Sequence, residues 1–375
     1  MRINALKIPV LLVIMSAFLF TSCKKTETIY TYYTVPTTYT FDNVDYSEAT
    51  VRVNMYQGLS TYLGRGLTRQ LSQDTANYLW NNTNAAFTSE FLVNLQNTKD
   101  VLNASPLNIS GKTSDFADFK KLIDSAVKLS ESNTAAGDYN VPGILLTTNS
   151  TKRLVNYAGL EFNQAVAKGL MGALQMANII DLLNKVAGAD NNTVTLGTGT
   201  AMQHNWDLAF GYASFPKTYD SSIQYANTVL DRPLGIGGYY RERGRYIQAG
   251  GKIFEAFRKG RAAITAKDYA TRDAAIATIK EYLEKTLAAA CYEYANVGMT
   301  GSNWAERFHG LSEGYGFALG LKYRQAGSTL TGDNYDKLLN IFKTNFYILK
   351  DDPTHTKLNE AKAILVAAYG QLQAS

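Results

Sequence analysis

Two short segments carry the residues best suited to chemistry. In His204-Asn205-Trp206-Asp207-Leu208-Ala209-Phe210-Gly211-Tyr212 a histidine and a carboxylate stand one helical turn apart, ahead of an aromatic-Gly-aromatic triplet. The layout returns in His309-Gly310-Leu311-Ser312-Glu313-Gly314-Tyr315-Gly316-Phe317. The chain has three histidines and two of them open these segments, which points to an internal duplication. On a helix, His204 and Asp207 share a face, as do His309 and Glu313. Imidazole beside carboxylate is either a metal-ligand pair or a buried hydrogen-bonded couple. In the first case His204, Asp207, His309 and Glu313 are the ligands, and iron, zinc or another divalent cation is the metal. There is no HExxH motif and Cys291 has no partner cysteine, so no strong zinc signature is present. No serine occupies a Gly-x-Ser-x-Gly elbow, so nucleophilic catalysis lacks support, and a metal-dependent hydrolase is a minor reading.

A further set lies in Gly159-Leu160-Glu161-Phe162-Asn163-Gln164, with Lys168 one turn beyond. The surrounding run, 159–187, is apolar nearly all round and predicts a central, buried helix. A carboxylate there must be paired or must line a polar cavity. Glu161, Gln164 and Lys168, with the aromatic Trp206, Tyr212 and Tyr315, therefore form the candidate ligand-binding set. Arg241, Arg243, Arg245, Lys252, Arg258, Lys259 and Arg261 make 241–261 basic. Glu242 and Glu255 interrupt the run, which reads as a solvated face in preference to a patch for an anionic ligand. The formal charge of +5 is too small to argue for nucleic acid.

The elements that position these residues are helices. Apolar residues at helical spacing predict helices over 49–66, 84–97, 114–131 (capped by Ser114), 159–187, 201–213, 246–265, 271–297, 303–324, 333–346 and 355–373. The stretch 132–157 carries Gly, Pro, Asn and Thr breakers and reads as a loop. Alternating strand patterns are almost absent, so the class is all-α, with one helical bundle over 43–190 and a second over 191–375. Ahead of them, Arg2 and Lys7 precede an apolar run, Ile8 to Phe20, that is short for a bilayer span, and Phe20-Thr21-Ser22-Cys23 resembles a bacterial lipobox. Residues 1–22 then form a lipoprotein signal peptide, Cys23 carries the lipid, and 23–42, rich in Thr and Tyr, is an extended tether. Lys24 and Lys25 follow the anchor with no Asp beside it, which points to the outer membrane.

The start Phe41-Asp42-Asn43-Val44-Asp45-Tyr46-Ser47, the helix of 159–174, the two histidine segments and the stretch 259–276 together resemble a family of Bacteroidetes lipoproteins, a domain of unknown function, that is itself similar to imelysin-like, iron-regulated proteins. The resemblance covers most of 40–373. It implies a pair of helical bundles and a binding role in the acquisition of iron or another metal, haem included, in a pocket between the bundles. It also implies an outer-membrane receptor or other iron-uptake lipoproteins as partners, or a structural subunit of such a complex. Imelysin-type proteins carry Gly-x-His-x-x-Glu as a proposed metal motif, and the segment with that spacing here puts Glu161 and Gln164 at the two ligand positions.

Cells grown with a labelled fatty acid should label the wild-type chain and leave Cys23→Ser unlabelled and released from the membrane fraction. A labelled Cys23→Ser chain would contradict the lipoprotein reading.

Overall fold

Short polar side chains start many of the helices by taking up the free N–H groups of a first turn. A computed structural model describes residues 32–373, so the signal peptide, Cys23 and the first part of the Thr/Tyr-rich stretch lie outside the described residues. Helices α1 (Ser47–Gly64), α2 (Gln73–Asn81), α3 (Lys99–Ala104) and α4 (Phe116–Leu129) come first. A hairpin of β1 (Gly143–Leu146) and β2 (Lys152–Val155) follows, antiparallel, with Gly143 opposite Val155. Helix α5 (Phe162–Leu170) runs through a π-helical segment, Met171–Met176, into α6 (Ala177–Val186). Then come α7 (Ala201–Ala213), α8 (Ile236–Glu242), α9 (Ala249–Ala266), α10 (Tyr269–Thr300) and α11 (Trp304–Gly320). The last three are α12 (Gly332–Phe342), α13 (Phe346–Asp351) and α14 (Thr356–Tyr369). Thr200 and Gln203 close a capping box on α7, Asp268 caps α10 and Asn303 caps α11.

Among the described residues the fold is all-α apart from one hairpin. Four local expectations change. Residues 84–97 are turns, because Asn84, Ala85 and Asn94 take positive φ, and the helix of that region is α2, capped by Ser72. The hairpin occupies part of the expected loop 132–157. Ser114 does not cap α4; Asp115, left-handed and without a capping bond, precedes it. The expected tether also ends early. Tyr39 is fully buried, its ring stacks on Phe210 and its hydroxyl donates to Asp207, so the last part of that stretch is folded. Stacking on Phe210 buries an aromatic ring that the polar composition of the stretch does not announce.

The central element is the continuous helix Phe162–Val186, apolar enough to cross a membrane but 67% buried within the fold over its most apolar window. Helix α11 packs on α5 and α10, α7 packs on α1 and α6, and α10 also packs on α9 and α14. Tyr33–Ser375 makes one compact unit, and a single hydrophobic cluster includes residues from both sides of position 190. Two close approaches explain the repeated triplets. A Cβ on Gly211 would lie 2.8 Å from the Tyr46 side chain, and one on Gly316 would lie 2.6 Å from Lys168 Cβ. In each triplet the glycine admits a neighbouring segment while the flanking aromatics pack around it. At the start of the π-helical segment the approach is closer still, because a Cβ on Gly172 would lie 2.2 Å from Gly320 Cα. The π-helical turn also holds Gln175 in the core. Its amide donates to the carbonyls of Tyr212 and Leu234 and accepts from the Ile236 N–H, which ties the end of α7 to the start of α8.

Gly172→Ala has only backbone to push against and should lower stability by about 1–3 kcal/mol or more. Gly64→Ala, at a helical φ with open space around it, should raise stability by about 0.4–1 kcal/mol. Urea midpoints measure both, and equal midpoints would contradict the crossing.

Candidate functional site

Polar residues at the start of α5 and on α5 and α11 form a line of acidic and basic groups inside the body. Glu161 sits just before α5 in extended backbone, not on the helix face that its spacing suggests. Its N–H donates to Ser312 Oγ at 2.9 Å, and its carboxylate Oε1 lies 2.8 Å from His309 Nδ1. A carboxylate only accepts, so Nδ1 carries the hydrogen. On its other side, His309 Nε2 is 3.7 Å from Glu313 Oε1, and Lys168 Nζ reaches that same oxygen at 3.0 Å. Glu161 and Glu313 are buried, and Lys168 is nearly so. Burial alone would raise the Glu313 carboxyl, but Lys168 and then His309 outweigh it and hold the group below its ordinary range. Burial likewise works against the Lys168 ammonium, and the Glu313 carboxylate beside it is the main group that offsets this and holds it above the ordinary range. Beyond Glu313, the phenols of Tyr294 and Tyr239 lie 3.2 Å apart, and Arg243 donates to Tyr294 at 3.3 Å. Burial first, then Tyr239 and Glu313, push the Tyr294 phenol far up, so it stays a neutral donor.

Asp207 belongs to a separate cluster. Its Oδ1 accepts from Tyr39 Oη at 2.5 Å and from Arg261 Nε at 3.0 Å, while Oδ2 is buried with no partner. Arg261 is 1% exposed and also donates to Thr265 Oγ1 and to the Asp42 carbonyl. With one oxygen unsatisfied, burial outweighs the guanidinium and the carboxyl is pushed up to about 6. His204 shares no hydrogen bond with Asp207, and its Nδ1 is buried without a partner.

These positions separate the four residues expected to ligate a metal. Lys168 and Arg261 supply the positive charge that a cation would bring to Glu313 and Asp207, and the two clusters share no partner. Among the described residues no group of three or more His, Cys, Asp or Glu is arranged to hold a metal ion. The ligand-binding set separates as well. Glu161 and Lys168 meet in the α5–α11 line, whereas no side-chain hydrogen bond joins Gln164 to it among the described residues. Trp206 is fully buried with Nε1 bonded to the Phe257 carbonyl, and Tyr212 is buried against Arg52. Tyr315 is partly buried against the core.

An open concavity lies elsewhere. A cleft of about 700 Å³ is bounded by Thr37, Tyr219 to Ser221, the end of α8 and the first turns of α9. Four residues of the basic run, Arg241, Arg245, Lys252 and Arg258, line it. Three others are paired elsewhere: Arg243 on Tyr294 and Arg261 on Asp207 inside the fold, and Lys259 on Glu255 at the surface. The sequence signal for the cleft is Gly250-Gly251 opening a helix inside that basic run.

A domain family described as a domain of unknown function (DUF4856) matches residues 36–370. The chain belongs to this family. No curated protein and no solved structure matches it. The matched span contains the α5–α11 line, the Asp207 cluster and every residue bounding the cleft.

Lys168→Met leaves Glu313 buried without its cation and should cost about 3–5 kcal/mol, part of which Glu313→Gln in the same chain should restore. The Glu313 carboxyl is lower when folded than unfolded. Its stabilisation is therefore present above the ordinary glutamate range and is lost as pH falls through the folded value. Urea midpoints should thus fall less steeply with acid in Glu313→Gln than in wild type, and parallel profiles would contradict the pairing.

Proposed function

We propose that the protein is a lipid-anchored binding component of the cell envelope that serves iron or metal acquisition. It would take its cargo as an anionic complex, a ferric chelate or haem, and not as a bare ion. The observation that carries this reading is the open cleft with its cationic wall, set against acid–base groups that are bonded to one another in the interior. A bare cation needs grouped carboxylates and imidazoles, and an anionic complex needs arginine and lysine. A volume of about 700 Å³ falls in the range of small-molecule sites. The lipobox at Cys23, followed by Lys24 and Lys25 with no Asp, supports a role at the outer membrane, beside a receptor or other uptake lipoproteins.

A second reading, a partner subunit with no ligand of its own, is favoured by one feature. On the loop between α6 and α7, Val194 is 63% and Leu196 92% exposed. Apolar side chains held so far into water suit a protein contact.

Calorimetric titration of the mature chain in detergent should show binding of iron(III) citrate or haem at micromolar concentration. Arg245→Ala should weaken it by roughly tenfold or more, and His204→Ala and His309→Ala should leave it within error. No uptake of any iron species, or loss only in the histidine variants, would overturn this assignment.

A further inference from the structure

The first turn of α9 is built to receive an anion. Helix α9 is 18 residues long, has no acidic residue in its first turn, and its N-cap, Gln248, makes no side-chain capping bond. The Gly250 and Gly251 N–H groups meet no acceptor among the described residues. Both glycines line the cleft; the missing side chain of Gly250 admits the Tyr219 hydroxyl, and Gly251 has only Ser221 near it. A helix N-terminus in this state carries partial positive charge and directed donors.

The second observation is independent of the helix. Tyr219 and Tyr240 also line the cleft, they are 8% and 1% exposed, and neither hydroxyl has a hydrogen-bond partner. A buried phenol without an acceptor is costly, and two together are rare in a packed interior. The Phe215 ring stacks on Tyr240, with Phe254 close to Tyr219, so the floor is aromatic. The Nε of Arg241 and of Arg258 are likewise buried and unbonded. Arg258 donates to the Pro36 carbonyl, Arg241 donates to the Ser221 carbonyl, and Arg245 makes no ion pair among the described residues. The acids at the rim are already bonded, Glu255 to Lys259 and Asp220 to Ser222. Four cations therefore face two acids, an excess that matches a doubly charged guest.

We propose that this cleft binds a small molecule through a doubly charged oxyanion, a phosphate monoester or a polycarboxylate, seated on the Gly250 and Gly251 amides. Arg241, Arg245, Lys252 and Arg258 surround the charge, the Tyr219 and Tyr240 hydroxyls donate to it, and the body of the guest lies on the aromatic floor. The inference rests on the reading of the cleft as the ligand site and is independent of iron.

The test is calorimetry of the mature chain in detergent with four probes: inorganic phosphate, phenyl phosphate, citrate and iron(III) citrate. At least one iron-free dianion should bind with one-to-one stoichiometry, more weakly as salt rises. A preference for phenyl phosphate over phosphate assigns the monoester and the aromatic floor, and a preference for citrate assigns the polycarboxylate. Arg245→Ala and Gly251→Asp should each weaken binding by roughly tenfold or more. Gly251→Asp meets only Ser221, at 3.4 Å, and an acid in a first turn suits the helix, so its melting temperature should hold or rise while binding is lost. Absence of binding by every iron-free dianion, or unchanged binding in both variants, overturns the proposal. Iron(III) citrate binding alone would overturn it and leave the iron reading standing. Iron-free dianions binding without preference for the iron complex would do the reverse.

Discussion

A carboxylate buried among apolar helices stays ionised only if a cation reaches it, and the helices here are arranged to meet that demand. Glu313 turns from α11 toward α5, and Lys168 answers it; Asp207 turns from α7 toward α9, and Arg261 answers it. Each pair bridges two helices, so a slip of one turn in either would strand both charges. Glycine sets the distance between some of the same elements, through Gly316 against α5 and Gly211 against the start of α1. Charge thus fixes register, and missing side chains fix separation.

This division of labour accounts for the two similar segments. Each places a carboxylate one turn after a histidine and a glycine between two aromatics. In each, the carboxylate binds a cation from another helix and gains a phenol nearby, Tyr39 for Asp207 and Tyr294 for Glu313. The histidines differ. His309 lies between Glu161 and Glu313, while His204 Nδ1 has no partner. What the segments share is a way of packing a charged helix.

The helices were legible because they are periodic and capped. The runs at 201–213 and 271–297 show the apolar spacing of α7 and α10, and Thr200 and Asp268 mark their starts. The pairing of charges was not legible, since Lys168 and Glu313, or Asp207 and Arg261, are joined only by tertiary packing. Tyr39 stands in a Thr/Tyr-rich stretch whose composition suggests a tether, and only the cavity beside Phe210 makes it core. The basic run could be read, yet nothing local tells Arg261, which is buried, from Arg245, which faces the cleft. The hairpin escaped because its two four-residue strands are too short to establish a pattern.

A fold held by internal ion pairs, with the proposed binding cleft set apart from them, makes different demands on the three histidines and on the start of α9. The most direct measurement follows the ring signals of His204, His309 and His355, together with the Gly250 and Gly251 amides, by selective-label NMR. Iron(III) citrate, zinc and phenyl phosphate are added in turn. Silent histidine rings under every addition, with shifts of the two glycine amides under the anions, are the predicted result. Zinc-induced shifts of the His204 and His309 rings, with unmoved glycine amides throughout, would contradict it and return the function to the histidines.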